Sequence, residues 1–122
     1  MDQYATIDGF EKLSAQEVFN ISAKHLLKQG KKSESAGGGN CKYRGPGGRM
    51  CAAGPFLKDE HTYACENRTW GTLVAIRRVP PNNARLICKL QHVHDHYCPE
   101  DWLVKLIKLA IEHGLNIPEM ES

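Results

Sequence analysis

Between Ser14 and Gly30 the sequence carries the signals for both ends of a helix. Ser14-Ala15-Gln16-Glu17 is a capping-box pattern, in which the Ser hydroxyl and the Glu carboxylate each take a backbone N–H left unpaired at a helix start. Ala15, Val18, Phe19, Ser22 and Leu26 fall on one side of this helix, and Lys24 and Lys28 lie away from it. Gly30 supplies a left-handed stop. A helix that is apolar on one side needs partners to cover it, and the rest of the chain supplies them.

Two further long helices are predicted. One runs from about Asn83 to Tyr97, with Leu86, Leu90, Val93 and Tyr97 spaced four, three and four apart. The other opens with Pro99-Glu100-Asp101, a proline at the first helical position followed by acids that suit the positive helix end. It is expected to bury Trp102, Leu106, Leu109 and Ala110 and to close at Gly114. A shorter helix is expected over Leu57 to Tyr63, and Thr72 to Val79 reads as a helix or a strand, with helix preferred, ended by Pro80-Pro81.

The segments around these helices read differently. Met1 to Leu13 shows no period and is expected to be a loosely held N-terminal arm. Lys31 to Asn40 is a polar Gly-rich loop. A β-hairpin is then predicted: a strand through Cys41-Lys42-Tyr43-Arg44, a turn at Gly45-Pro46-Gly47-Gly48, and a return through Arg49-Met50-Cys51-Ala52. The expected architecture is α+β, a single domain over residues 1–122 with a small β-hairpin packed on a bundle of about four helices.

Composition supports a globular chain. Of its 122 residues 41% are hydrophobic and 25% charged, which argues against wholesale disorder. There is no apolar run long enough for a membrane span, and Met1-Asp2-Gln3-Tyr4 has no export-signal pattern, so a soluble cytoplasmic protein is expected. Five cysteines, Cys41, Cys51, Cys65, Cys88 and Cys98, are an odd number with no close CxxC pair, which fits reduced thiols.

Charge is segregated. From Lys28 to Arg49 six bases (Lys28, Lys31, Lys32, Lys42, Arg44, Arg49) face one acid, Glu34, or +5. The whole chain carries +2, so the remainder carries −3. Such a surface attracts phosphate groups or an acidic partner, although neither GxxxxGK[ST] nor GxGxxG is present. A solvated basic loop is the plainer reading.

The run His92-Val93-His94-Asp95-His96 divides around its helix. With Leu90 as origin, His94 lies near 40°, on the apolar side, while Cys88, His92 and His96 lie near 160°, 200° and 240°. Those three residues, spaced i, i+4 and i+8, suit a soft divalent metal such as zinc, as does a set built on Cys41 and Cys51, but no fourth ligand stands out. His94 reads either as a hydrogen-bonded core histidine or as a functional histidine at a cleft rim. In the second case Cys51 or Cys41 would be a nucleophile held by His94, with Asp95 or Asp59 orienting the ring, as in a cysteine hydrolase or transferase. On the last helix Val104, Ile107 and Ile111 form a second apolar line, expected to meet a second copy or another protein.

Two stretches together resemble a widespread group of small phage and prophage proteins to which no activity is attached. The first is Cys41-x-Tyr43-Arg44, a glycine turn, then Cys51-Ala52-x-Gly54 leading to Leu57 and Asp59-Glu60. The second is Leu90-Gln91-x-x-His94-Asp95, then Pro99, Trp102 and Gly114-Leu115. The resemblance implies an accessory role in a bacterial cytoplasm, counter-defence or host-takeover, by occluding a host protein or sequestering a phosphate-bearing nucleotide signal. In that reading Lys42, Arg44 and Arg49 engage the partner, Tyr43 stacks or packs beside them, and His94 and Asp95 frame the same cleft.

Overall fold

The computed structural model describes residues 4–34 and 42–118. It holds five α-helices: α1 (Ala15–Gln29), α2 (Asp59–Cys65), α3 (Trp70–Ala75), α4 (Ala84–His96) and α5 (Trp102–Glu112). α4 lies at the centre, packed against α1, α3 and α5, and α1 also packs against α5. The core is continuous, from Phe19 and Leu26 of α1 through Leu73 of α3 and Ile87 and Leu90 of α4 to Trp102 and Leu106 of α5.

The long helices follow their sequence signals. Glu17 N–H donates to Ser14 Oγ at 3.1 Å, and Ser14 N–H donates to Glu17 Oε1 at 2.9 Å. Gly30, at φ 65°, stops α1 with its N–H on the Leu26 carbonyl. α5 buries Trp102, Leu106, Leu109 and Ala110, the predicted set, and a single 3₁₀ turn at Pro99–Asp101 leads into it. α4 buries Leu86, Leu90 and Val93 as expected, adds Ile87 and His94, and leaves Tyr97 half-buried.

The predicted β-hairpin is absent, and the fold is helical rather than α+β: among the described residues there is no strand, and Thr6 and Leu57 meet in an isolated antiparallel bridge. The reason lies in the hydrogen bonding of residues 42–52. A hairpin needs the N–H and C=O groups of its two arms to pair with each other. Here groups from elsewhere take most of them, and across the turn the Gly45 N–H donates to the Arg49 carbonyl at 2.8 Å. The Glu66 carboxylate accepts from the N–H groups of Tyr43 (2.8 Å) and Arg44 (3.1 Å). Ser33 Oγ bonds to the carbonyls of Lys42 (2.7 Å) and Arg49 (3.2 Å), and the Lys42 N–H donates to Ser33 O. From α1, Gln29 brackets Met50 at both N–H and C=O, His25 reaches the same carbonyl, and Ser22 Oγ donates to Ala52 O. Gly47 and Gly48, both at positive φ, turn the chain without a ladder.

The described part of the N-terminal arm, residues 4–13, is held rather than loose. Ala5 N–H donates to Arg78 O and its carbonyl accepts from Lys58 N–H, while Ile7 N–H donates to Phe56 O. Phe10 is buried, edge-on to Phe56 at 5.6 Å and beside Trp70 at 6.0 Å. Burying such a side chain contributes roughly 1.5–3 kcal/mol, which adds to these backbone hydrogen bonds in holding a segment that has no periodic pattern of its own.

Candidate functional site

A buried polar hub joins α4 to the segments on either side of the glycine-rich loop. His94 is wholly buried and stacks on Trp102 at 5.6 Å. Ser33 N–H donates to its Nε2 at 2.9 Å, so Nε2 is the acceptor and the ring proton sits on Nδ1, 2.8 Å from Asp95 Oδ1. Gln91 Nε2 donates to the same Asp95 oxygen at 3.0 Å, and Gln91 Oε1 accepts from Ala53 N–H at 3.1 Å. His94 and Asp95 therefore organise backbone at the centre of the molecule rather than lining a cleft rim.

Cys51 lies in the same neighbourhood but is not an activated nucleophile. It is buried, and burial pushes its thiol up to about 12, against the opposing pull of hydrogen bonds from the Ala53 and Gly54 backbone. Both ring nitrogens of His94 are engaged, by Ser33 and Asp95, so the structure does not assemble a Cys51–His94 pair. Cys41 lies outside the described residues. Asp59, the alternative orienting group, is exposed and paired with Arg44.

The predicted anion-binding residues separate into two groups. Arg44 is a clip: Nε donates to Asp59 Oδ1 (2.9 Å), Nη1 to the carbonyls of Gly54 (2.7 Å) and Tyr43 (3.2 Å), and Nη2 to Leu57 O (2.8 Å). A Cβ on Gly54 would stand 2.7 Å from the Tyr43 carbonyl and 3.2 Å from Arg44 Nη1, so the missing side chain is what lets the clip close. Tyr43 is buried and donates its hydroxyl proton to Arg68 O, so it has no exposed ring for stacking. Lys42 and Arg49, by contrast, are half-exposed, and neither side chain forms an ion pair among the described residues. Ser33 draws their backbones together beside Lys31 and Lys32, one turn beyond Lys28. Lys32 Nζ donates to the Asp95 carbonyl at 3.1 Å, while Lys28 and Lys31 are exposed.

The expected metal ligands do not form a closed set. His92 and His96 stack with ring centroids 4.4 Å apart, and Cys88 is exposed. No group of three or more His, Cys, Asp or Glu placed to hold a metal occurs among the described residues. What lies there instead is a groove of about 510 Å³ between α4 and α5, bordered by Cys88, Lys89, His92, Tyr97, Lys105 and Lys108. Sequence reasoning missed it, although Lys105, Lys108 and Glu112 sit at helical spacing on one edge of α5.

Along the outer side of α5, Val104 is 54% and Ile111 72% exposed, Leu103 is exposed, and Ile107 is half-buried. No helix among the described residues is long and apolar enough to cross a membrane. No protein-family model, curated protein or solved structure matches this chain.

Proposed function

We propose that this chain is a non-enzymatic binding protein that covers an acidic surface of a host protein with its cationic end. Its setting would be that of a phage-type accessory protein in a bacterial cytoplasm, with a counter-defence role. One observation carries the reading: Ser33 bonds the backbone of both Lys42 and Arg49, so that these two cations sit beside the segment that carries Lys31, and none of the three forms an ion pair among the described residues. Cations spread over several backbone segments suit a broad acidic surface, where complementary charge speeds encounter and selects the partner.

The test is charge reversal at Lys42 and Arg49 together. Tagged wild-type and K42E/R49E proteins are used to capture partners from a bacterial lysate, with circular dichroism as the check on folding. Acidic proteins retained by the wild type should fall about tenfold or more with the folded variant. Equal retention by both, or nothing retained by either, would count against the reading. A nucleotide released from the wild-type protein in place of a protein partner would move the function to sequestration.

A further inference from the structure

We propose that the groove between α4 and α5 is a second binding site, for a small planar aromatic anion. This inference does not rest on the cationic end, because the two sites use different lysines. The groove's volume of about 510 Å³ lies within the roughly 300–1,000 Å³ typical of small-molecule clefts. Three ammonium groups border it, from Lys89, Lys105 and Lys108, against one carboxylate, Glu112. Val93 and Leu109, both nearly buried, form its apolar floor.

The groove's cations have only weak partners. Lys105 Nζ rests 4.4 Å from the centroid of the Tyr97 ring. Lys89 pairs with Glu112 at 3.6 Å, a surface contact between two exposed side chains and of small worth. Lys108 has no ion pair among the described residues. An arriving anion displaces nothing strongly held. The same contacts specify a flat apolar body: a ring taking the place of Lys105 against Tyr97 exchanges one aromatic contact for another, with His92 edge-on to Tyr97 at 5.8 Å closing that wall. The freed ammonium then joins Lys108 at the ligand's carboxylate or phosphate.

A second copy of this chain fits the groove poorly. Asp101, at the N-cap of α5, and Lys105, Lys108 and Glu112 within it, spaced four, three and four, follow one edge in the order acid, base, base, acid. That order reads the same in both directions. An α5 helix laid against it in register, parallel or antiparallel, sets lysine beside lysine and acid beside acid.

Salicylate and AMP serve as probes for the two sources of such an anion, an aromatic carboxylate and a nucleotide, with inorganic phosphate and phenol as half-ligands. Calorimetric titration of the full chain should show saturable binding of salicylate or AMP, and whichever binds identifies the source. Binding should weaken about tenfold or more in K105E/K108E, and in K105Q/K108Q should the charge reversals perturb folding. Alkylation of Cys88, at the groove's border, should slow when the ligand is bound, while exposed Cys98, which does not border it, keeps its rate. The proposal is overturned if neither probe binds at millimolar concentration, if binding survives both double variants, or if phosphate or phenol alone binds as tightly as the better probe.

Discussion

The backbone of residues 42–57 and the outer surface of α4 and α5 are both covered by polar side chains, and these are used in opposite ways. In the first region Arg44 holds three carbonyls, Glu66 two amides and Gln29 both polar groups of Met50, so side chains do the work that a ladder would do in a sheet. In the second, Lys105 leans on a ring, His92 stacks on His96, and Lys89 holds Glu112 at 3.6 Å. A charged residue committed to backbone is not available to a ligand. Residue type alone does not reveal which role it has, and Arg44 and Arg49 show this within one short segment.

Pairs of substitutions, one from each kind of environment, sharpen the contrast. The largest effect is expected at His94. His94→Ala leaves a cavity against Trp102 and orphans the Ser33 N–H, a loss on the order of 4 kcal/mol. His92→Ala on the exposed face should stay within about 0.5 kcal/mol. Urea unfolding of the two variants measures both, and similar losses would erase the distinction. Next comes Arg44→Ala, expected to cost about 3 kcal/mol through the carbonyls it leaves behind, against about 0.5 kcal/mol or less for Arg49→Ala. If Arg49→Ala proves the more damaging, the division between clip and presented cation is wrong.

The smallest effect is one of pH. Burial holds His25 below the ordinary histidine value, with its hydrogen bond to Met50 O pulling the other way. The unfolded chain takes up this proton near pH 6.5, while the folded chain does so only at lower pH. Between those values the unfolded state binds more protons, so stability falls as the pH drops below about 6.5 and levels off once the folded ring is also charged. Wild-type protein should lose more stability than His25→Gln between about pH 7.5 and 5.5, measured by denaturant titration. Equal losses would mean that His25 is as free to charge as an exposed histidine.

What could be read from the sequence tracks how local its cause is. The start and stop of α1 depend on Ser14, Glu17 and Gly30 alone, and α5's buried stripe on its own spacing, so both were legible. The turn angle that put His94 on the apolar side was likewise local, and left its two roles open. The hairpin failed because its competitors, Glu66, Ser33 and Gln29, lie outside the segment and carry no mark that they will reach residues 42–50. The N-terminal segment failed for the same reason, since Phe10 is anchored by partners at positions 56 and 70. Ser22 was the nearest to a visible clue: a hydroxyl on an apolar stripe needs a partner, and it found Ala52 O.

Ser33 and Lys42 are joined backbone to backbone at 2.8 Å and again through the Ser33 hydroxyl. Together these bonds pin the chain at Ser33 and Lys42, so a change in the number of residues between the two need not disturb the packing of either. Lengthening a segment whose ends are already pinned costs slowly, about 0.6 kcal/mol for each doubling. This makes it a practical place for grafting a tag or a recognition peptide beside the cationic end.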